Sequence, residues 1–452
     1  MSKAKVIQFE EPFELPSEVP LIRTTTVPGP KSRKILADQK EFETQSVIYP
    51  KSFPIAIRRA KDSVIEDVDG NFLIDWMTGI CVLNLGHSDL IRNAIASQLG
   101  KIWHTLEIPT ETRIEFLKEL RRSFPANMQK GYKTMFGISG ADACETAINI
   151  AHTVSGQRAS TIAFEGAYHG VHGGVISATA GRHYKTPVFS QGYNVVRAPY
   201  PYEMWYDYDT NDTLTFLEKV VNDAEAGYDT PDSLIVEPVQ GEGGYIVPPD
   251  GFLRALREFC DKHDIIMIVD EVQTGLGRTG KMWGFEWDSI KPDIVCVSKS
   301  IGGGIPMSLV YYREDYDSKL PTPFHLGTYR GNALALAAGT AVLREVPKWI
   351  ERVRAEGSGL AKRLGSIGSP LIGDVRGRGF MIGVELVEGQ KPLSKTKVTE
   401  TKHDMLSNGL LMHTCGHFGN VFRFMGALNI STEYLETGAQ IFESSLKRVQ
   451  KQ

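Results

Sequence analysis

The segment from Ile265 to Gly280, IIMIVDEVQTGLGRTG, constrains the fold most strongly, because a wholly apolar strand runs directly into two acids. A strand without polar alternation is typical of a parallel sheet that is covered on both faces. A buried carboxylate without a partner costs several kcal/mol, a large part of the stability of a domain. We therefore expect a cationic group at the end of this strand, facing Asp270 and Glu271.

Helices alternate with other short apolar segments from about residue 88 onward, which predicts an α/β fold with a mostly parallel sheet. Ligands bind such sheets at the carboxyl ends of the strands. After Asn332 a long helix and a second α+β stretch follow, which predict a smaller unit. Near the N-terminus, SVIEDVDGNFLIDW predicts a hairpin around Asp-Gly. The predicted strands are 161–164, 233–239, 265–272, 293–298, 307–312, 379–386 and 421–428.

Length and composition limit the classes of protein to which the chain can belong. A chain of 452 residues is too long for one core. Its net charge of −4 gives no electrostatic reason to expect nucleic acid or an anionic membrane as a partner. No apolar run is long enough to span a bilayer, and residues 1–20 lack the apolar centre of a secretion signal. We predict a cytoplasmic protein with a draping arm over residues 1 to about 30.

Cysteines and histidines indicate neither disulfides nor a metal site. The five cysteines are scattered and odd in number, which predicts reduced thiols packed in apolar positions. The eleven histidines show no metal-ligand spacing, so we expect no metal.

Lys299 and Asp270 are the candidate catalytic residues. Lys299 follows an apolar strand and precedes three glycines, and a partly desolvated amine of this kind can bond covalently to an aldehyde. Alternatively, Lys299 leaves the strand for solvent. Asp270 ends another strand, where a carboxylate can keep a pyridine nitrogen protonated. Alternatively, Asp270 pairs with an arginine or caps a helix.

Two further segments suggest the binding of a flat, phosphorylated ligand. GISGADACETAINIA, residues 137–151, places a helix start after Ser139, and free N–H groups there favour phosphate. Ser139 or Asp142 alternatively only caps the helix. EGAYHGVHGG places Tyr168 and His169 among glycines, where the tyrosine either stacks on a planar cofactor or packs in the core.

Together these parts resemble the class III, fold type I pyridoxal-phosphate aminotransferases, most closely the 4-aminobutyrate aminotransferase branch. The resemblance spans roughly residues 28 to 430. It implies a large domain with a mostly parallel seven-stranded sheet plus a smaller α+β domain. It also implies three segments: residues 1–75, an arm and part of the small domain; 76–332, the large cofactor-binding domain; and 333–452, the C-terminal small domain. The matching motifs include DVDGNFLIDWMTGICVLNLGH, SGADACETAI, EPVQGEGGY, DEVQTGLGRTG, SKSIGGGIP, GTYRGN, GDVRGRGFMIGVEL and CGHFGNVFRF.

The resemblance implies a role for each matching residue. Lys299 would hold the pyridoxal 5′-phosphate covalently and move the proton, and Asp270 would bind the pyridine nitrogen. Thr328 would reach the phosphate of a neighbouring subunit, which implies a homodimer or a dimer of dimers. The implied cofactor-binding residues are Ser139, Gly140, Ala141, Tyr168, His169, Glu237, Asp270, Val272, Gln273, Lys299 and Thr328. The implied substrate-binding residues are Glu242, Arg423, Ile80, His172 and Arg330, with Glu242 and Arg423 forming a switch pair for amine and 2-oxo-acid substrates.

One departure from the 4-aminobutyrate branch concerns the distal end of the substrate. That branch has an arginine after YHG that binds a distal carboxylate, and here Val171 and His172 follow. Losing a charge-assisted contact removes about 1.5–3 kcal/mol of binding. We therefore predict a donor other than plain 4-aminobutyrate, with His172 or Arg330 as substitute contacts. Ala427, where the branch has proline, and His413 are the other departures.

We predict an aminotransferase that moves an amino group from an amine or amino acid to a 2-oxo acid by a ping-pong mechanism. An amino-acid racemase or epimerase on the same scaffold is the alternative. A non-enzymatic, cofactor-binding regulator is a third hypothesis, which the presence of Lys299, Asp270, Gln273 and Glu242 disfavours.

Overall fold

The computed structural model describes residues 13–156, 160–185 and 192–451, and it is built around a seven-stranded sheet. The strand Ser308–Arg313 runs antiparallel to both of its neighbours, and every other neighbouring pair is parallel. The mostly parallel seven-stranded sheet is therefore confirmed. In spatial order the strands are Tyr132–Gly137, Ser308–Arg313, Ile294–Val297, Ile266–Asp270, Pro231–Val236, Ser160–Phe164 and Val195–Ala198.

The central strands are buried along their whole length. Pro231–Val236, Ile266–Asp270 and Ile294–Val297 have no exposed residue, as their mainly apolar sequences predict. Two strands of the seven-stranded sheet were not predicted, Tyr132–Gly137 and Val195–Ala198. Both carry polar residues, and they form the two edges of this sheet.

Helices cover both faces of this sheet and flank the smaller ones. Phe252–Lys262 shows why they form: its buried side chains recur at helical spacing and its charged ones face outward. The α-helices are Pro30–Phe42, Tyr49–Ser52, Thr78–Cys81, Asp89–Leu99, Glu111–Ser123, Gly140–Ser155, Glu203–Tyr206, Thr210–Asn222, Phe252–Lys262, Glu314–Asp317, Ala333–Glu345, Ile350–Gly365, Lys395–Ser407 and Thr432–Gln450.

Two smaller sheets are built from the beginning and the end of the chain. The predicted hairpin is present as Val64–Asp67 and Phe72–Asp75, extended by Ile57–Lys61 and by a parallel pairing with Leu410–Leu411. The other sheet contains Ile372–Arg378, Met381–Glu388, Lys391–Pro392, His413–Cys415 and Val421–Phe424.

The predicted strands 233–239, 265–272 and 421–428 run past the observed ends at Val236, Asp270 and Phe424. After Phe424 the Met425 N–H donates to the Trp76 carbonyl, outside the sheet. Part of the predicted arm, residues 1–12, lies outside the described residues, and Leu21 bridges to Phe72. The division at residues 75 and 332 stays a prediction. No helix in the described part of the chain has the length and apolarity needed to cross a membrane.

Candidate active site

A cavity of about 220 Å³ lies at the carboxyl ends of the parallel strands. Polar side chains at the ends of the apolar strands lie together at the rim of this cavity, as expected for an open α/β sheet. Cys144, Gly170 and Val171 complete its lining. Twelve of the predicted site residues line it: Ser139, Gly140, Ala141, Tyr168, His169, His172, Glu237, Glu242, Asp270, Val272, Gln273 and Lys299.

Asp270 is buried at the tip of Ile266–Asp270 and accepts three hydrogen bonds. The Val272 N–H donates to Oδ1 over 2.9 Å. His169 Nδ1 donates to Oδ2 over 2.7 Å, and the Cys144 thiol donates to the same oxygen over 3.2 Å. Thiol, imidazole and carboxylate ligand atoms lie within 4.8 Å of one another, a grouping that sequence spacing did not predict.

Glu271 corrects the expectation that both acids of this strand face a cation. Its carboxylate accepts hydrogen bonds from the Thr274 hydroxyl and from the N–H groups of Gly284 and Phe285, at 2.6, 2.9 and 2.7 Å. Three neutral donors satisfy it, so no cation is required. Burial raises the pKa of Glu271 to about 7. Glu271 therefore supports the loop that follows the strand and does not line the cavity.

Lys299 lies at the end of Ile294–Val297, half-buried, and begins a short 3₁₀ helix. Its backbone φ is +48°, in the left-handed region that a non-glycine residue rarely adopts. Lys299 lines the same cavity as Asp270, which places an amine and a carboxylate at two neighbouring strand tips.

The helix Gly140–Ser155 begins at the cavity. Ser139 Oγ accepts from the Asp142 N–H over 3.2 Å, so Ser139 caps this helix. A Cβ at Gly140 would come within 2.9 Å of Val272, and one at Gly170 within 2.4 Å of Ala141. Glycine at both positions keeps backbone close-packed around the helix start, where free N–H groups favour an anion.

Glu237 supports the glycine-rich loop on the other side of the cavity. Its two oxygens accept from the N–H groups of Tyr168 and Gly241, at 3.0 and 2.9 Å. Burial raises the pKa of Glu237 to about 7. This carboxyl group thus fixes the backbone that carries Tyr168 and His169.

Glu242 and Arg423 form an ion pair with a distance of 2.6 Å between Oε1 and Nη1. Arg423 is fully buried, and its Nε has no hydrogen-bond partner in the described part of the chain. Burial disfavours the charge of Arg423, but Glu242 raises its pKa well above the ordinary value. Burial likewise opposes the charge of Glu242, yet Arg423 lowers its pKa. The pair is therefore ionised, with one guanidinium donor group left to bind another acceptor.

A second, mainly apolar cavity of about 730 Å³ lies beside the first and includes Tyr49 and Ile80. Burial and the Glu242 carboxylate raise the pKa of Tyr49. The Tyr49 ring packs edge-on against His413, with centroids 5.7 Å apart. His413 Nδ1 donates to the Thr414 carbonyl, and burial and Arg423 lower its pKa to about 4, so its ring is neutral at pH 7. Sequence reasoning missed Tyr49, since nothing in YPKSF distinguishes it.

Three predicted residues line neither cavity: Arg423, which pairs with Glu242, and Arg330 and Thr328. Arg330 is buried and donates to Asp142 Oδ1 over 2.7 Å, at the start of the helix Gly140–Ser155. Thr328 is exposed beside Tyr329, which is 69% exposed. Their predicted roles stay predictions.

The cavity fits the cofactor that the resemblance implies. His169 Nε2 and Gln273 Oε1 are buried and have no hydrogen-bond partner among the described residues, so the cavity holds polar atoms that a polar ring can satisfy. The close-packed glycines at the helix start suit a phosphate, and the amine of Lys299 suits an aldehyde.

Known proteins of similar sequence and structure agree with this assignment. The family model for aminotransferase class-III matches residues 47–446. The diaminobutyrate–2-oxoglutarate aminotransferase of Rhizobium meliloti is 35% identical over 435 residues, covering 91% of this chain and 92% of that protein. The 4-aminobutyrate aminotransferase of Mycobacterium leprae is 34% identical over 444 residues, covering 93% and 97%. An amine transaminase from an uncultivated Pseudomonas species, solved with pyridoxal phosphate bound, has a TM-score of 0.82 at 27% identity, covering 90% of this chain and 99% of that one.

The fold and the cavity are those of a pyridoxal-phosphate-dependent enzyme. The chain belongs to the class III aminotransferase family. This result excludes the non-enzymatic hypothesis. The relatives above are all aminotransferases, and none supports the racemase alternative.

Proposed function

We propose that this aminotransferase moves the amino group of an amine or amino-acid donor to a 2-oxo acid in two half-reactions, with a donor other than plain 4-aminobutyrate. The observation that carries the proposal is the buried Glu242–Arg423 pair, because Glu242 lines the same cavity as Lys299. When Glu242 neutralises Arg423 the site suits an uncharged chain. When Glu242 turns away, Arg423 binds a carboxylate.

The chain's own residues divide the proposed chemistry among them. Pyridoxal phosphate, when bound, supplies an electron sink that allows a proton to leave the carbon bearing the amine. Lys299 Nζ would take this proton and return it to the cofactor carbon that carried the aldehyde. Asp270 would accept a hydrogen bond from the ring nitrogen, and the start of the helix Gly140–Ser155 would bind the phosphate. The Tyr168 side chain would pack on the ring and exclude water.

The proposed donor preference rests on Val171, His172 and the apolar cavity. Val171 lines the small cavity at the position directly after YHG, where the 4-aminobutyrate branch has an arginine, and His172 is exposed at the rim beside it. Neither residue offers the charge-assisted carboxylate contact that this arginine makes. The larger cavity beside Ile80 offers apolar contacts instead. We propose a donor whose chain beyond the amine is not a simple terminal carboxylate.

We also propose that the active unit is a homodimer. Thr328 is exposed within a surface that carries several large exposed apolar side chains, and a second copy of the chain would cover them. His104 stacks on Tyr329 and the Trp103 carbonyl accepts from Ala333, which joins the two segments of this surface. The exposed apolar residues are Trp103, Leu106, Ile108, Leu326 and Tyr329. Light scattering of the purified protein measures the mass, and a monomer would contradict the proposal.

A cytoplasmic location is proposed on the evidence of the thiols. All five cysteines are free and buried, which suits a reducing compartment. Fractionation of the producing cells tests it, and recovery outside the cytoplasm would contradict it.

A single-turnover experiment tests the function. The purified holoenzyme is mixed with one amino donor and no 2-oxo acid. Transamination predicts about one equivalent of oxo product per subunit and a loss of the aldehyde absorbance of the cofactor, which a 2-oxo acid then restores. A racemase would instead return the aldehyde form and an inverted donor. A panel of amines and amino acids tested against pyruvate and 2-oxoglutarate would identify the substrates.

A further inference from the structure

Cys144 makes a contact that the proposed chemistry does not use. It is the fifth residue of the helix Gly140–Ser155, it is fully buried, and it lines the cofactor cavity. Its thiol lies 3.2 Å from Asp270 Oδ2, the oxygen that also accepts from His169. The contact joins residues 126 positions apart.

The thiol acts as a hydrogen-bond donor in this contact. An ionised carboxylate only accepts hydrogen bonds, so the proton of the pair lies on sulfur. The neighbouring Cys296 thiol and burial hold the pKa of Cys144 well above its ordinary value, which keeps the thiol protonated. Cys296 stands opposite Asp270 on the next strand and donates to the Ala143 carbonyl over 3.7 Å. Cys144 is therefore a donor and not a nucleophile.

We propose that Cys144 is a positioning residue of the cofactor site: it orients the Asp270 carboxylate and ties it to the helix whose first residues bind the phosphate. This inference rests on the proposed role of Asp270 as partner of the ring nitrogen. The Val272 N–H holds one oxygen, while His169 and Cys144 hold the other from two different elements. Because Cys144 and Gly140 belong to one rigid helix, the thiol sets the spacing between the two ends of the site.

Apoenzyme titration with pyridoxal phosphate tests the inference in four variants. In Cys144→Ala the affinity falls about 10-fold, since one hydrogen bond to a charged group is lost. Cys144→Ser keeps a donor and stays within about 3-fold of the wild type. Cys260→Ala is the matched control, because Cys260 is equally buried but lies on the helix Phe252–Lys262 and does not line the cavity. Its affinity is unchanged.

The pH dependence of the absorbance of the bound cofactor separates positioning from packing. Removing the thiol leaves more negative charge on Asp270 Oδ2. The midpoint of the absorbance change should therefore move to higher pH in Cys144→Ala, and in Cys144→Ser it should stay at the wild-type pH. Cys260→Ala does not move it. An unchanged affinity and midpoint in Cys144→Ala, or a shift shared by Cys144→Ser, overturns the role of Cys144.

The variant Asp270→Asn separates the proposed role of Cys144 from the proposed role of Asp270. If Asp270→Asn alters affinity and absorbance but Cys144→Ala alters neither, only the role of Cys144 fails. If Asp270→Asn also leaves both unchanged, Asp270 does not face the ring nitrogen and the proposed site fails with it.

Discussion

The two cavities of this enzyme differ in size, in polarity and in the segments that build them. The cavity of about 220 Å³ is lined by strand tips and a helix start, with Lys299 and Asp270 on neighbouring strands. The cavity of about 730 Å³ is lined mainly by apolar side chains from the first ninety residues, among them Tyr49 and Ile80. Under the proposed function, the strand tips act on the reacting atoms, whereas the N-terminal segments contact the apolar part of the donor.

The largest expected effect belongs to the small cavity. Lys299→Ala removes the group that takes and returns the proton, and turnover falls by about 10²–10⁴-fold or more. Steady-state rates measure this loss, which should be equally large for every substrate. Lys281→Ala, a change in the loop after the neighbouring strand, is the control and keeps full activity. Activity of Lys299→Ala near the wild-type value would contradict the proposal that the reaction takes place in the small cavity.

Arg423→Ala should produce a loss that depends on the substrate. The buried guanidinium offers a charge-assisted contact to a carboxylate, which is worth about 1.5–3 kcal/mol, or about 10–100-fold in kcat/KM for 2-oxo acids. Amines without a carboxylate should lose much less. The comparison of kcat/KM for the two substrate classes measures this, and Arg376→Ala, a change at a half-buried arginine of the same sheet, controls for folding. Equal losses for both classes would mean that Arg423 does not anchor a carboxylate.

Val171→Arg should improve the use of 4-aminobutyrate. The new guanidinium, at the position that directly follows YHG, can pair with a distal carboxylate, and we expect KM for 4-aminobutyrate to fall about 10-fold. Val171→Lys, which adds charge without the planar fork, should give a smaller gain. A fall in KM of the same size for amines that have no carboxylate would contradict the explanation.

Glu271→Gln should have the smallest effect on turnover, because Glu271 lies beside Asp270 in sequence but outside the cavity. Its folded-state pKa of about 7 is above the ordinary value, so its contribution to stability is full below about pH 4.3 and is lost as pH rises through 7. On the order of 3 kcal/mol depends on this titration. The melting temperature of the wild type should therefore fall more between pH 5 and pH 8 than that of Glu271→Gln. Identical pH profiles would show that Glu271 does not titrate in this range.

Much of the large sheet and of the small cavity could be predicted from the sequence, for a physical reason. Strands buried on both faces are mostly apolar, so Ile266–Asp270 and Ile294–Val297 stand out, and the polar residues near their carboxyl ends are the candidates for the rim. The edge strand Val195–Ala198 was missed because it is only four residues long and includes an arginine.

The remaining features depend on contacts between distant segments. Cys144 meets Asp270 across 126 positions, and Tyr49 approaches Glu242 from the N-terminal region. Neither follows from local periodicity. Glu271 shows the opposite error: an acid beside a catalytic one was expected to face a cation, and loop N–H groups satisfy it instead.

The backbone at Lys299 has a consequence for protein engineering. A left-handed conformation costs an L-residue about 1–2 kcal/mol, and the enzyme accepts this cost at its proposed catalytic lysine. Glycine at position 299 would relieve that strain and stabilise the folded state. Part of this stabilisation would be lost, because glycine also increases the conformational entropy of the unfolded chain. A selection for thermal stability alone would thus tend to erode the amine that the reaction needs, so stability screens of this enzyme should be coupled to an activity readout.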